Sequence, residues 1–149
     1  MTQPITAHGG VLNNLYLDNS ALDDEAAKAR EFRSWDLSKR QLCDIELLLN
    51  GAFSPLSGFL SENDYKSVLS DMRLANGTLW PMPINLDVSE DFANSINVGE
   101  SITLRDPEGV AIATLNVSDC WQVDKKAEAL AVFGTDDSSH PGVNYLINE

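Results

Sequence analysis

The order of hydrophobic periods along the chain predicts a mixed α+β fold, with N-terminal helices followed by a small antiparallel sheet or barrel. Three observations carry this. Apolar residues recur at helical spacing between Ser38 and Met72. From Leu79 the pattern becomes extended, and Ile102 and Leu104 alternate with polar residues. Asp106-Pro107-Glu108-Gly109 then supplies a hairpin turn before a returning run, Val110–Val117. No repeat, low-complexity tract or linker divides the 149 residues, so a single domain over 1–149 is expected.

The elements follow in order. "VLNNLYL" (Val11–Leu17) predicts a short strand. Residues 22–33, "LDDEAAKAREFR", read as a helix with acids at its start and bases at its end, as the helix dipole favours. Ser38 and Gln41 stand at the spacing of a capping box, in which each side chain satisfies the other's free backbone N–H. Leu42, Ile45 and Leu49 form the stripe of that helix, and Asn50-Gly51 supplies a left-handed stop. A third helix starts at Ser61, with Asp64 three residues on and Tyr65, Val68, Leu69 and Met72 on its apolar face. "LWPMPINLDV" is extended, but Pro81 and Pro83 lack the N–H of a ladder, which confines them to an edge. Asp124–Phe133 reads as a short helix ended by Gly134, and the chain then runs through a loop into a last extended piece.

The segment between the second and third helices, "GAFSPLSGFL", is unusually apolar for a connector. Glycines and serines beside a helix start suggest a phosphate cradle. Pro55, however, removes one N–H from the middle of any anion nest, and Phe53, Leu56 and Phe59 would crowd a pyrophosphate. The loop is therefore read as a packing element, docked either on its own core or on a partner.

Charge excludes several functions. Twenty-three acids against ten bases give a formal net charge of -13. Such a surface repels nucleic acid and anionic membrane, since nonspecific affinity for both comes from clustered Lys and Arg. Half of the bases, Lys28, Arg30, Arg33, Lys39 and Arg40, lie in one stretch, read as a solvated helix face. No apolar run approaches the roughly 20 residues of a membrane span. The start, "MTQPITAHGG", has neither the basic nor the apolar part of a signal peptide, so a cytoplasmic protein is expected. In that reducing compartment Cys43 and Cys120 are expected as two buried thiols.

Catalytic signatures are scarce. The chain has no Walker-type glycine loop and no Gly-x-Ser-x-Gly elbow. His8 and His140 are far apart, with no second histidine or cysteine at ligand spacing, and both are read as structural. Asp23-Asp24 and Asp136-Asp137 are read as solvated acids. No catalytic, cofactor-binding or metal-binding residue is assigned.

Three blocks nevertheless carry a resemblance: "WDLSKRQLCDIELLLNGAFSPLSGFL", "LWPMPINLDV" and "VFGTDDSSHPGVNYL". Together they resemble the N-terminal region of ATP sulfurylase (sulfate adenylyltransferase), from about His8 to Leu146 and in family order. The resemblance implies a PUA-like β-barrel fold and a non-catalytic role. In the family, a separate nucleotidyltransferase domain joins MgATP and sulfate to give adenylyl sulfate and pyrophosphate. Its Gln-x-Arg-Asn-Pro, His-x-x-His and Gly-Arg-Asp-His-Ala strings do not occur here, so no catalytic residue is carried over. The chain is therefore expected to be inactive alone, without a cofactor, and to be the front part of a longer enzyme. Its expected partner is the catalytic domain, in cis or in trans, with neither nucleic acid nor membrane. Phe53, Leu56 and Phe59 are expected to face that domain and, left exposed, to favour self-association. The alternatives are a stand-alone PUA-like binding or regulatory module, and one subunit of a split ATP sulfurylase.

Overall fold

The structure is a computed structural model describing residues 5–148. Two compact units can be distinguished, one made of the chain through Phe59 with Leu86–Ser118, the other of Leu60–Asn85 with the chain from Asp119 onward.

The first unit holds the sheet. Helix α1 (Asn19–Ala29) leads into strand β1 (Arg33–Asp36), helix α2 (Lys39–Leu49), a short helix α4 (Glu90–Ser95) and strands β2 (Ser101–Arg105) and β3 (Ala111–Asn116). The α+β class is as the sequence predicts. The hairpin is antiparallel, with Thr103 opposite Thr114, and its turn closes through the Asp106 N–H donating to Val110 O at 3.0 Å. Among the described residues the sheet has the order β1-β2-β3 and is mixed rather than wholly antiparallel, with β1 parallel to β2, and it is open rather than closed into a barrel. Ile102, Thr103 and Leu104 are buried in its centre, and the Thr103 hydroxyl donates to Ala29 O at 2.6 Å.

Two expectations are corrected here. The first helix runs from 19 to 29 rather than from 22 to 33, because Arg33–Asp36 pair with Ile102–Arg105, a partner some seventy residues away that local periodicity does not reveal. Val11–Leu17 form no strand. Their backbone is spent on the loop after α2 instead, as described below.

Helix α2 matches its sequence signature. Ser38 Oγ accepts from the Gln41 N–H at 3.3 Å, while Gln41 Oε1 accepts from the Ser38 N–H at 3.0 Å, so the capping box closes in both directions. The same Gln41 oxygen accepts from Trp35 Nε1, and its Nε2 donates to Asp87 O at 2.6 Å. Arg40 bridges Asp44 at 2.8 Å and Asp87 at 2.7 Å. Burial pushes the Asp44 carboxyl above its ordinary range, against the opposing pull of Arg40. Trp35 packs on Phe92 of α4, ring centroids 5.0 Å apart.

The second unit is helical. Helix α3 (Glu62–Asp71) starts at Ser61, whose hydroxyl accepts from the Asp64 N–H, and ends in Met72 with φ 53. Helix α5 (Lys125–Phe133) is capped by Asp124 and stopped by Gly134 in the left-handed conformation, as predicted. Tyr65 of α3 donates to the buried Glu128 of α5 at 2.8 Å and packs on Trp121. The last piece is not extended but a helix, α6 (Pro141–Asn148). Pro141 suits a first helical turn, where its missing N–H costs nothing, and Val143 is fully buried. The segment around Pro81 and Pro83 forms no strand and bends at Met82; beside it a bridge joins Arg73 and Leu79.

Candidate functional site: the loop leaving helix α2

The loop is built from the helix outward. Asn50 ends α2 in right-handed conformation, and Gly51 turns the chain with φ 80. A side chain on Gly51 would require a strained backbone, and its Cβ would lie 2.8 Å from Asn13 O. Glycine is therefore demanded twice, by the turn and by the close approach of the N-terminal segment.

From Ala52 to Leu56 the N–H groups of the loop are taken by the chain itself. Ala52 donates to Asn50 Oδ1, Phe53 to Leu47 O, Ser54 to Gly51 O and Leu56 to Phe53 O, all between 2.8 and 3.0 Å. These four are taken and Pro55 has none to give, so the stretch from Ala52 to Leu56 forms no anion nest and packs as the sequence indicates. Residues 13–15 meet further polar groups of the loop and of the end of α2. Ser54 Oγ donates to Gly51 O and accepts from the Asn13 N–H, Asn13 Nδ2 donates to Pro55 O at 2.7 Å, and the Leu15 N–H donates to Leu49 O. Sequence reasoning missed this clamp. The only trace of it in the chain is Asn13-Asn14 interrupting an apolar run.

The three loop residues singled out by sequence part company. Leu56 is buried, 7% exposed, whereas Phe53 and Phe59 are half-buried. The clamping segment adds exposed apolar side chains of its own, Val11, Leu12, Tyr16 and Leu17.

Other candidates resolve as structural. In the basic stretch Lys28 is paired to Glu25 at 3.3 Å and Arg40 is held by two aspartates. His140 accepts from the Val143 N–H through Nδ1 at 3.4 Å and stacks near Phe133. Asp137 accepts from the Ser139 N–H, which lowers its pKa. Around the start of α5 a groove is lined by Gln122, Val123, Lys125 and Lys126, but the first N–H groups there are already taken by Asp124. Among the described residues no group of three His, Cys, Asp or Glu is placed to hold a metal ion. Cys43 and Cys120 are both exposed free thiols, correcting the expectation of buried ones. Cys43 falls between the stripe positions of α2, on the side facing water.

The PUA-like domain family matches residues 5–149, and the chain belongs to it. The relatives found by sequence are sulfate adenylyltransferases. That of Saccharomyces cerevisiae is 48% identical over 95% of this chain, that of Eremothecium gossypii 46% identical over 95%, and that of Symbiobacterium thermophilum 40% identical over 100%. The chain spans only 28%, 28% and 38% of their respective lengths. A solved hexameric APS kinase from Thiobacillus denitrificans contains a similar structure, with a TM-score of 0.73 and 36% identity over 81% of this chain and 24% of the other. No helix among the described residues is long and apolar enough to cross a membrane.

Proposed function

We propose that this chain is a single PUA-like, non-catalytic N-terminal domain of a sulfate adenylyltransferase, acting in the cytoplasm. The whole enzyme would join MgATP and sulfate to give adenylyl sulfate and pyrophosphate. The observation that carries this is identity of 40–48% running through nearly the entire chain while covering a minor part of each relative. The site chemistry supports the non-catalytic role. Holding two anions requires free cations and aimed backbone donors. Here Arg40 is held by Asp44 and Asp87, and the donors of Ala52, Phe53, Ser54 and Leu56 in the loop after α2 are consumed internally. The net charge of -13 likewise speaks against a nucleic-acid partner.

The partner in this reading is the catalytic part of the enzyme, in cis or in trans, and the surface offered to it is the loop Ala52–Phe59. Leu56 anchors the loop inward while Phe53 and Phe59 keep apolar area accessible. Two measurements test the reading. Purified alone, the chain should release no pyrophosphate from MgATP and sulfate above a blank. Turnover that survives repurification overturns the non-catalytic role. Phe59→Ala should lower stability by no more than about 1 kcal/mol, since only part of its area leaves water. The same change should weaken binding to a separately produced catalytic part. Unchanged binding with a large loss of stability would make the loop a core element only.

A further inference from the structure

The geometry points to Asn76 as a site of spontaneous covalent change, the cyclisation and deamidation of an Asn-Gly pair. The chain contains two such pairs, Asn50-Gly51 and Asn76-Gly77, and the structure sets them in contrasting surroundings. Asn76-Gly77 sits at the tip of a small turn. The Leu74 N–H donates to Thr78 O at 2.9 Å, the Gly77 N–H to Leu74 O at 2.8 Å, and the Thr78 N–H to Asn76 Oδ1 at 3.0 Å. Both residues are exposed, and nothing lies within 4 Å of where a Gly77 side chain would begin.

The reaction needs the Gly77 nitrogen and the Asn76 side-chain carbon. Hydroxide removes the Gly77 amide proton, and the nitrogen bonds to Cγ of Asn76. The Cγ–Nδ2 bond breaks, and the departing nitrogen takes a proton from water and leaves as ammonia. Water then opens the cyclic imide at either carbonyl, giving aspartate or isoaspartate, with no change of oxidation state. Gly77 offers no side chain to hinder the attack. The cost is release of the bonds from Gly77 to Leu74 O and from Thr78 to Asn76 Oδ1, and a solvent-exposed turn opens locally at small free energy.

Asn50-Gly51 has the same residues and a similar local bond, Gly51 N–H to Leu48 O at 3.3 Å. Its glycine, however, is buried, with Asn13 and Leu12 pressed against it, and its asparagine terminates α2. Reaching the cyclic geometry there requires lifting the N-terminal segment and fraying the helix. Deamidation would place a new carboxylate one residue from the Gly77 carbonyl, which accepts from Arg73 at 3.0 Å.

The test is incubation of the purified chain at mildly alkaline pH, with peptide mapping by tandem mass spectrometry at intervals. In the folded chain Asn76 should convert at least about tenfold faster than Asn50, the difference reflecting the costlier opening at Asn50. In urea the two rates should converge. Asn76→Gln, whose longer side chain cyclises poorly, should remove the early acidic variant seen on isoelectric focusing. A smaller lead in the folded chain, or an Asn76 that stays intact when folded while the unfolded chain converts, overturns the assignment.

Discussion

The two ends of helix α2 are held by different physics. At its entrance, directional bonds do the work: Ser38 and Gln41 cap each other, Gln41 reaches Trp35 and Asp87, and Arg40 ties Asp44 to Asp87. At its exit, shape does the work: Gly51 lets residues 12 and 13 approach, Leu56 turns inward, and Asn13 closes over the loop carbonyls. The entrance is complete within the described residues, every polar arm of Gln41 having a partner. The exit keeps two half-buried phenylalanines. Trp35 and Phe92 at the entrance are half-buried too but pack on each other, so the exit, rather than the polar cluster, is the surface assigned to a partner.

The contrast can be tested on stability, and the largest effect is expected at the exit. Leu56→Ala should cost about 2–5 kcal/mol, the range for deleting a buried leucine that leaves a cavity, read by urea denaturation. A loss below about 1 kcal/mol would mean the loop is not seated on its own core. Gln41→Ala should cost about 1–3 kcal/mol, because it empties a buried position and removes the partner of the Ser38 N–H, the half-buried Trp35 indole N–H and Asp87 O. If Gln41→Ala proves costlier than Leu56→Ala, the ranking of the two ends is reversed.

The smallest expected effect concerns pH. The Asp44 carboxyl is raised in the folded state, mainly by burial, with Asp87 adding to the rise and Arg40 opposing it. A raised carboxylate binds its proton more tightly when folded, so acidification through its folded value and down to the unfolded one adds stability. The wild type should thus gain on Asp44→Asn as pH falls through that window. Comparing the two chains cancels the opposite contribution of Glu25 and Glu100, whose lowered values make their stabilisation fade in acid. A difference independent of pH would show that Arg40 balances burial, and a relative loss by the wild type on acidification that Arg40 outweighs it.

Much of the architecture was legible beforehand where one short stretch contains its own cause. The capping box at Ser38, the stop at Asn50-Gly51, the start at Ser61, the cap and stop of α5 and the hairpin turn at Asp106–Gly109 all appear where expected. Each depends on residues within four positions of one another. The same holds for the loop as a packing element, since Pro55 and three large apolar residues already exclude a phosphate cradle.

Other features were settled only by the assembled chain. Arg33–Asp36 became a strand because Ile102–Arg105 lay beside it, and Val11–Leu17 lost theirs because Asn13 and Leu15 had the carbonyls of Pro55 and Leu49 to satisfy. Residues 141–148 became a helix because Val143 found a buried seat on that face. The split of Phe53, Leu56 and Phe59 into one anchor and two half-exposed rings has the same origin. Side chains of equal hydrophobicity look alike in a sequence, and which of them leaves water is decided by what other parts of the chain bring against them.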